Sequence, residues 1–108
     1  MRIPKALYSV MGPIPVERLD VIEHENPAVL VMGRWRAAER AVALSHEVTD
    51  NVAAFQTTMH EWTHTMLDDS GVSQLLTREQ QEAVCDAVAA VLTAAARAGV
   101  LIIRDAKE

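Results

Sequence analysis

The chain has a single cysteine, Cys85, so it can form no internal disulfide. That is the cysteine usage expected in a reducing compartment. It also lacks an apolar run of membrane-spanning length; the nearest, residues 83–96, contains Asp86 and is built from alanine more than leucine. The opening stretch MRIPKALYSVMGPIPV begins basic, but its prolines and glycine break up any signal-like apolar core, and no small-residue cleavage site stands out. Positive charge is scarce: 10 Lys and Arg against 15 Asp and Glu give a net charge of −5, with the acidic residues spread along the chain. Binding a phosphate backbone needs clustered cations, and the nearest cluster, Arg34, Arg36 and Arg40, reads instead as the solvated face of a hairpin. Nucleic acid and membrane are thus disfavoured as partners, and a cytoplasmic protein is expected. Repeats, low-complexity tracts and linkers are absent too, so the 108 residues make one domain with a single core.

What is present divides into two halves of different period. In the first, residues 8–11 and 16–21 alternate around GPIP, whose glycine and prolines force a turn or an edge. The runs AVLVMGRW and RAVALS, separated by a polar stretch, predict an antiparallel hairpin over residues 29–44. In the second half, Val52, Phe55, Met59, Trp62 and Met66 recur at spacings of three and four, which predicts an amphipathic helix over residues 51–68. Thr49 or Asp50 can cap its start, and Gly71 suits its left-handed end. Thr77 to Gln80 form a capping box that opens a second helix, running to about Ala98 with Gly99 as its stop. Its apolar stripe is expected at Val84, Ala87, Val88, Val91 and Ala95, and residues 100–103 could close the structure as a strand or pack as a tail.

The first helix carries His60-Glu61-Trp62-Thr63-His64. Residues i and i+4 lie one turn apart on one helix face, so both imidazoles can converge on one ion. Zn²⁺ accepts two neutral imidazoles and needs further ligands to complete a tetrahedron. Glu61 points about 100° away around the axis, where it is poorly placed to ligate but can reach a water on the metal's open side. At background frequencies the three fixed positions would coincide in a chain of this size well under about 1% of the time. A third protein ligand could come from the second helix, where Glu79, Glu82 and Asp86 share a stripe at spacings of three and four. Spacing alone does not choose among them.

MHEWTHTMLDDSG followed by EQQEAVCDAVAAVL resembles the zinc-peptidase-like proteins of the ImmA/IrrE group, especially their short phage-encoded relatives. In that group a strand-rich half leads into the HExxH helix, and a second helix supplies a glutamate ligand within E-x-x-A-[ND]-x-F-A. Residues 82–89 fit this pattern with Cys85 at the usual alanine and Val88 at the usual aromatic. The resemblance covers roughly residues 29–92. It implies Glu82 as the third zinc ligand, with Glu79 as runner-up, and Asp86 as a group placed to orient a histidine ring.

The fold expected is α+β: a small antiparallel sheet of three or four strands packed on two helices, zincin-like, with the metal between the helices. Residues 40–44 are expected to form the edge strand bordering the cleft, where an extended peptide could add as a further strand. The reading that follows is a Zn²⁺-dependent peptidase with His60, His64 and Glu82 on the metal and Glu61 as general base. The partner implied by the resemblance is a protein or peptide substrate such as a transcriptional regulator. A zinc-stabilised interaction module without catalysis is the alternative, and a metal-free helix pair the plainest one. Among the other polar residues, His46 could line the cleft but suits a surface loop better, His24 falls in a turn-like segment, and Tyr8 could hold an oxyanion. Trp62 is expected as a core anchor and Cys85 as a small buried residue.

Overall fold

The computed structural model describes residues 1–20, 22 and 31–107. Four strands come first: β1 (Ala6–Leu7), β2 (Ile14–Leu19), β3 (Gly33–Arg36) and β4 (Ala41–Ser45). They are followed by helix α1 (Asn51–Asp69), a 3-10 turn (Val72–Leu75) and helix α2 (Arg78–Arg97). The class is α+β, as expected.

The sheet is mixed, where an antiparallel one was expected. Its order is β1-β2-β4-β3, with β1 antiparallel to β2, β3 antiparallel to β4, and β2 parallel to β4. The reason lies in β4, AVALS, whose five residues are all buried. A strand apolar on both faces belongs inside a sheet, and pairing on both sides also satisfies its backbone groups. Among the described residues, GRWR of β3 therefore takes the edge. This corrects the expected edge strand at residues 40–44: that segment is central, and β3 is the strand that borders the cleft.

Residues 8–11, expected as a strand, form none: 8 and 9 are irregular, and 10 and 11 lie in a turn closed by a bond from the Gly12 N–H to the Ser9 carbonyl, with Gly12 at φ 106°. The strand pairing with β2 is the shorter Ala6–Leu7. The hairpin over residues 29–44 forms in its described part, while residues 21, 24, 29 and 30 lie outside the described residues. Its connection, residues 37–40, ends on Arg40 in the left-handed region at φ 50°.

Asp50 is the cap of α1, its carboxylate accepting from the Ala53 N–H at 2.9 Å. Gly71 follows the helix at φ 79°. Phe55 and Met59 are buried and Trp62 packs on the core, but Met66 is exposed. Threonines take part of the burial: Thr58, Thr63 and Thr65 return their hydroxyls to carbonyls one turn back, which removes the cost of sinking them. The Thr77 capping box on α2 forms in both directions.

The apolar stripe of α2 is not the expected one. Val84, Ala87 and Val91 face solvent, Val91 at 67% exposure, and the buried line is Cys85, Ala89 and Thr93, flanked by Leu92 and Ala96. In a helix this rich in alanine the apolar pattern runs nearly all round. Partners decide the face, and here Glu82 and Asp86 are drawn to histidines on α1.

The core gathers Leu7, Ile14, Val42, Phe55, Met59 and Ala89, with α1 packed on β3 and β4 and paired with α2. Residues 100–103 form no strand; the tail packs, with Ile103 against the core and the Ala106 N–H bonded to the Ala6 carbonyl. Among the described residues, no helix is long and apolar enough to cross a membrane.

Candidate metal centre

Because i and i+4 share a helix face, α1 presents His60 and His64 side by side, their ring centroids 5.0 Å apart. Across from them, α2 presents Glu82 and Asp86. The Glu82 carboxylate spans both rings, with Oε2 3.2 Å from His60 Nε2 and Oε1 2.8 Å from His64 Nε2. Asp86 Oδ1 lies 2.9 Å from the other nitrogen of His60, Nδ1. A carboxylate on Nδ1 fixes which nitrogen of the ring carries the proton, and so leaves Nε2 free to donate its lone pair.

Behind this group sits Cys85, fully buried. A ring nitrogen of His60, one of His64 and the Cys85 sulfur all lie within 4.8 Å of one another, as do donor atoms of His60, Glu82 and Asp86. The residues gathered here could hold a metal ion.

Glu61 completes the wall. Although charged, it is only 8% exposed, and its Oε2 has no hydrogen-bond partner. The Trp35 backbone N–H donates to the carboxylate. Burial raises the Glu61 pKa above the ordinary carboxylate range and Glu82 adds to this; His60, His64 and the Trp35 N–H oppose it. A buried carboxylate oxygen without a donor is costly, and a cation beside it removes the cost. The donor set and this orphaned oxygen together fit a metal ion.

The Cys85 thiol is pushed up to about 12 by burial and by the carboxylates of Glu82, Glu61, Asp86 and Asp68. Without a bound cation it is an unreactive thiol.

His60, Glu61, His64, Glu82 and Asp86 line an open cleft of about 1100 Å³ between α1, α2 and β3. Gly33 sits where the edge strand crosses α1. A Cβ there would meet the Thr57 methyl at 2.5 Å, the Ala43 carbonyl oxygen at 3.3 Å and Glu61 Cγ at 3.4 Å. Only glycine lets β3 approach closely enough for its neighbour Trp35 to reach Glu61.

The structure therefore brings His60, Glu61, His64, Glu82 and Asp86 together. It leaves Glu79 apart, exposed in the first turn of α2 and outside the cleft lining. His46 is also outside the lining; its ring, 55% exposed, is 3.8 Å from Asp20. Tyr8 is exposed, and its carbonyl accepts from Trp62 Nε1–H at 2.8 Å, which anchors that indole. His24 lies outside the described residues. Two contributors were not found from the sequence, Gly33 and the Trp35 N–H, because both act through a strand-to-helix contact that no local spacing records. The approach of Cys85 was open to reading, since it follows Glu82 by three residues on one helix.

Comparison with protein-family models, with curated proteins and with solved structures finds no match to this chain. The functional reading rests on the residues themselves.

Proposed function

We propose that the chain is a zinc-dependent peptidase in which His60, His64 and Glu82 hold Zn²⁺ and Glu61 is the general base. The observation that carries this reading is the buried, unpartnered Oε2 of Glu61 beside two imidazoles that share one carboxylate. When bound, the ion supplies Lewis acidity, acidifying water and polarising a carbonyl.

The chain's own residues do the rest. Glu61 takes up the proton at Oε2, the oxygen without a partner, while the Trp35 N–H holds the carboxylate in place. Buried beside the two imidazoles, Glu61 can accept a proton and pass it on to a leaving amine. Asp86 holds the His60 tautomer. The β3 edge can pair with an extended peptide, whose main chain would then run along the cleft past Glu61.

The α+β arrangement is compatible with a zincin-like architecture. The resemblance of the HExxH helix and of residues 82–89 to the ImmA/IrrE group suggests a regulatory protein, such as a transcriptional repressor, as the substrate in the cytoplasm. A second reading, a protein-interaction module fastened by zinc, draws on the contact of Glu82 with both imidazoles, by which the centre would lock α2 to α1.

The test is elemental analysis of chain purified without a metal-affinity tag, together with digestion of a mixed peptide library read by mass spectrometry. About one zinc per chain is expected in the native protein and in Glu61→Gln, and none in His64→Ala or Glu82→Ala. Cleavage is expected in the native protein and lost in Glu61→Gln. A native chain that takes up no zinc after reconstitution sinks both readings; zinc without cleavage favours the interaction module.

A further inference from the structure

The centre has a second side. Glu82 reaches the imidazoles with a side chain that is 49% exposed, whereas Cys85, one turn further along the same face of α2, is fully buried. Its sulfur nevertheless lies within 4.8 Å of donor nitrogens of both His60 and His64. Resting on the metal-centre reading above, we propose that Cys85 is a further protein donor of that centre, its thiolate holding the cation from the core side while Glu82 holds it from the cleft.

A buried cysteine is more often a small apolar filler than a ligand. Two observations point the other way here. The sulfur belongs to a triad with two imidazoles, an arrangement that packing alone does not call for. Independently, Glu61, close enough to the same two histidines to feel their charge, buries Oε2 without a partner, a cost that a nearby cation relieves.

Within the ligand set the charges balance, with Glu61 outside it: two neutral imidazoles, one carboxylate and one thiolate bring two negative charges to a divalent cation, and the thiol proton leaves to solvent as the sulfur–metal bond replaces the S–H bond. A thiolate selects soft cations, Zn²⁺, Co²⁺ and Cd²⁺, over Mg²⁺, Ca²⁺ and Mn²⁺. Cys85 groups with the two imidazoles and Glu82 with His60 and Asp86, so a side-chain adjustment that closes all four donors on one ion completes a tetrahedron. The resting centre is then closed, and hydrolysis requires the thiolate to yield its place.

The experiment is a Co²⁺ titration of the full, metal-stripped chain under reducing conditions, followed by absorption. The expected spectrum has the visible bands of tetrahedral cobalt together with a near-ultraviolet sulfur-to-cobalt charge-transfer band. Cys85→Ser and Cys85→Ala should keep visible bands and lose the charge-transfer band. Tetrahedral cobalt in the native chain without that band overturns the role of Cys85 and leaves the His60, His64 and Glu82 centre standing. Failure of the native chain to take up cobalt removes the centre itself, and this inference with it. The deciding spectrum is that of the native protein, so neither failure depends on a variant folding.

Discussion

Gly33 shows how one residue can set the chemistry of another. Its missing side chain lets the edge strand settle against Thr57 and Glu61. Gly33→Ala places a methyl 2.5 Å from the Thr57 methyl, which forces one of them to move. Overpacking of this kind costs about 1–3 kcal/mol. Urea unfolding should show that loss, and Thr57→Ser, by removing the opposing methyl, should recover most of it in the double variant. If the two losses simply add, the strand does not approach the helix at this point. The placing of His60 and His64 side by side was legible beforehand from their separation of four; Glu82 and Asp86 were legible only as members of a stripe of three and four, from which the family resemblance singled them out. Glu79 shared that stripe yet lies apart, because a stripe wider than the contact cannot say which of its members meets the neighbouring helix.

Among the elements, the β3–β4 hairpin is fastened to the far end of α1. Arg40, in its left-handed turn position, makes two bonds to the Asp69 carboxylate at 2.9 and 2.8 Å, and the Ser9 hydroxyl donates to the same carboxylate. The Arg40 guanidinium also lies 5.4 Å from the centre of the Trp35 ring. A left-handed arginine costs roughly 1–2 kcal/mol relative to an ordinary backbone, so this clasp offsets strain as well as joining elements. The hydrogen bond from Arg40, with that from Ser9, holds the Asp69 pKa below its ordinary value. A depressed carboxylate contributes stability that is present above its unfolded pKa and lost as pH falls through the folded one. Asp69→Asn should therefore be about 1 kcal/mol less stable than the native chain at pH 7, a modest figure because Arg40 is partly solvated. That gap should close toward pH 3. Unfolding curves at the two pH values check it, and a gap of equal size at both would show that the charge of Asp69 is irrelevant. The caps of both helices were readable in advance, whereas the buried face of α2 was not, since alanine on every side leaves the choice to the carboxylates that meet α1.

At the scale of the molecule, an ion that binds only the folded chain stabilises it by mass action. With zinc at about 100 times its dissociation constant the gain is about 2.7 kcal/mol, or roughly 10 °C in melting temperature for a domain of this size. A strong chelator should lower the native midpoint by about that amount, lower that of Glu61→Gln similarly, and leave that of His64→Ala unmoved. A native midpoint indifferent to chelation would reduce the centre to a set of ion pairs. The α+β class was legible from the change of period between the two halves of the chain. The order of the strands was not, because it depends on which strand can be buried on both faces, and AVALS was seen only as a hairpin arm.

The pairing of β2 with β4 has one more consequence, in the order of events as the chain folds. His60, His64, Glu82 and Cys85 all belong to the helical hairpin α1 and α2, whose contacts are close in sequence and so are quick to form. The parallel pair joins Val16 to Val42 across the β3 segment, and the entropy of closing that long loop makes the sheet the slower part. Glu61 is seated only once β3 has docked. On the proposed reading, the helices would bring together the side chains offered to the ion before Glu61 is seated, so that metal uptake could precede activity as the chain folds.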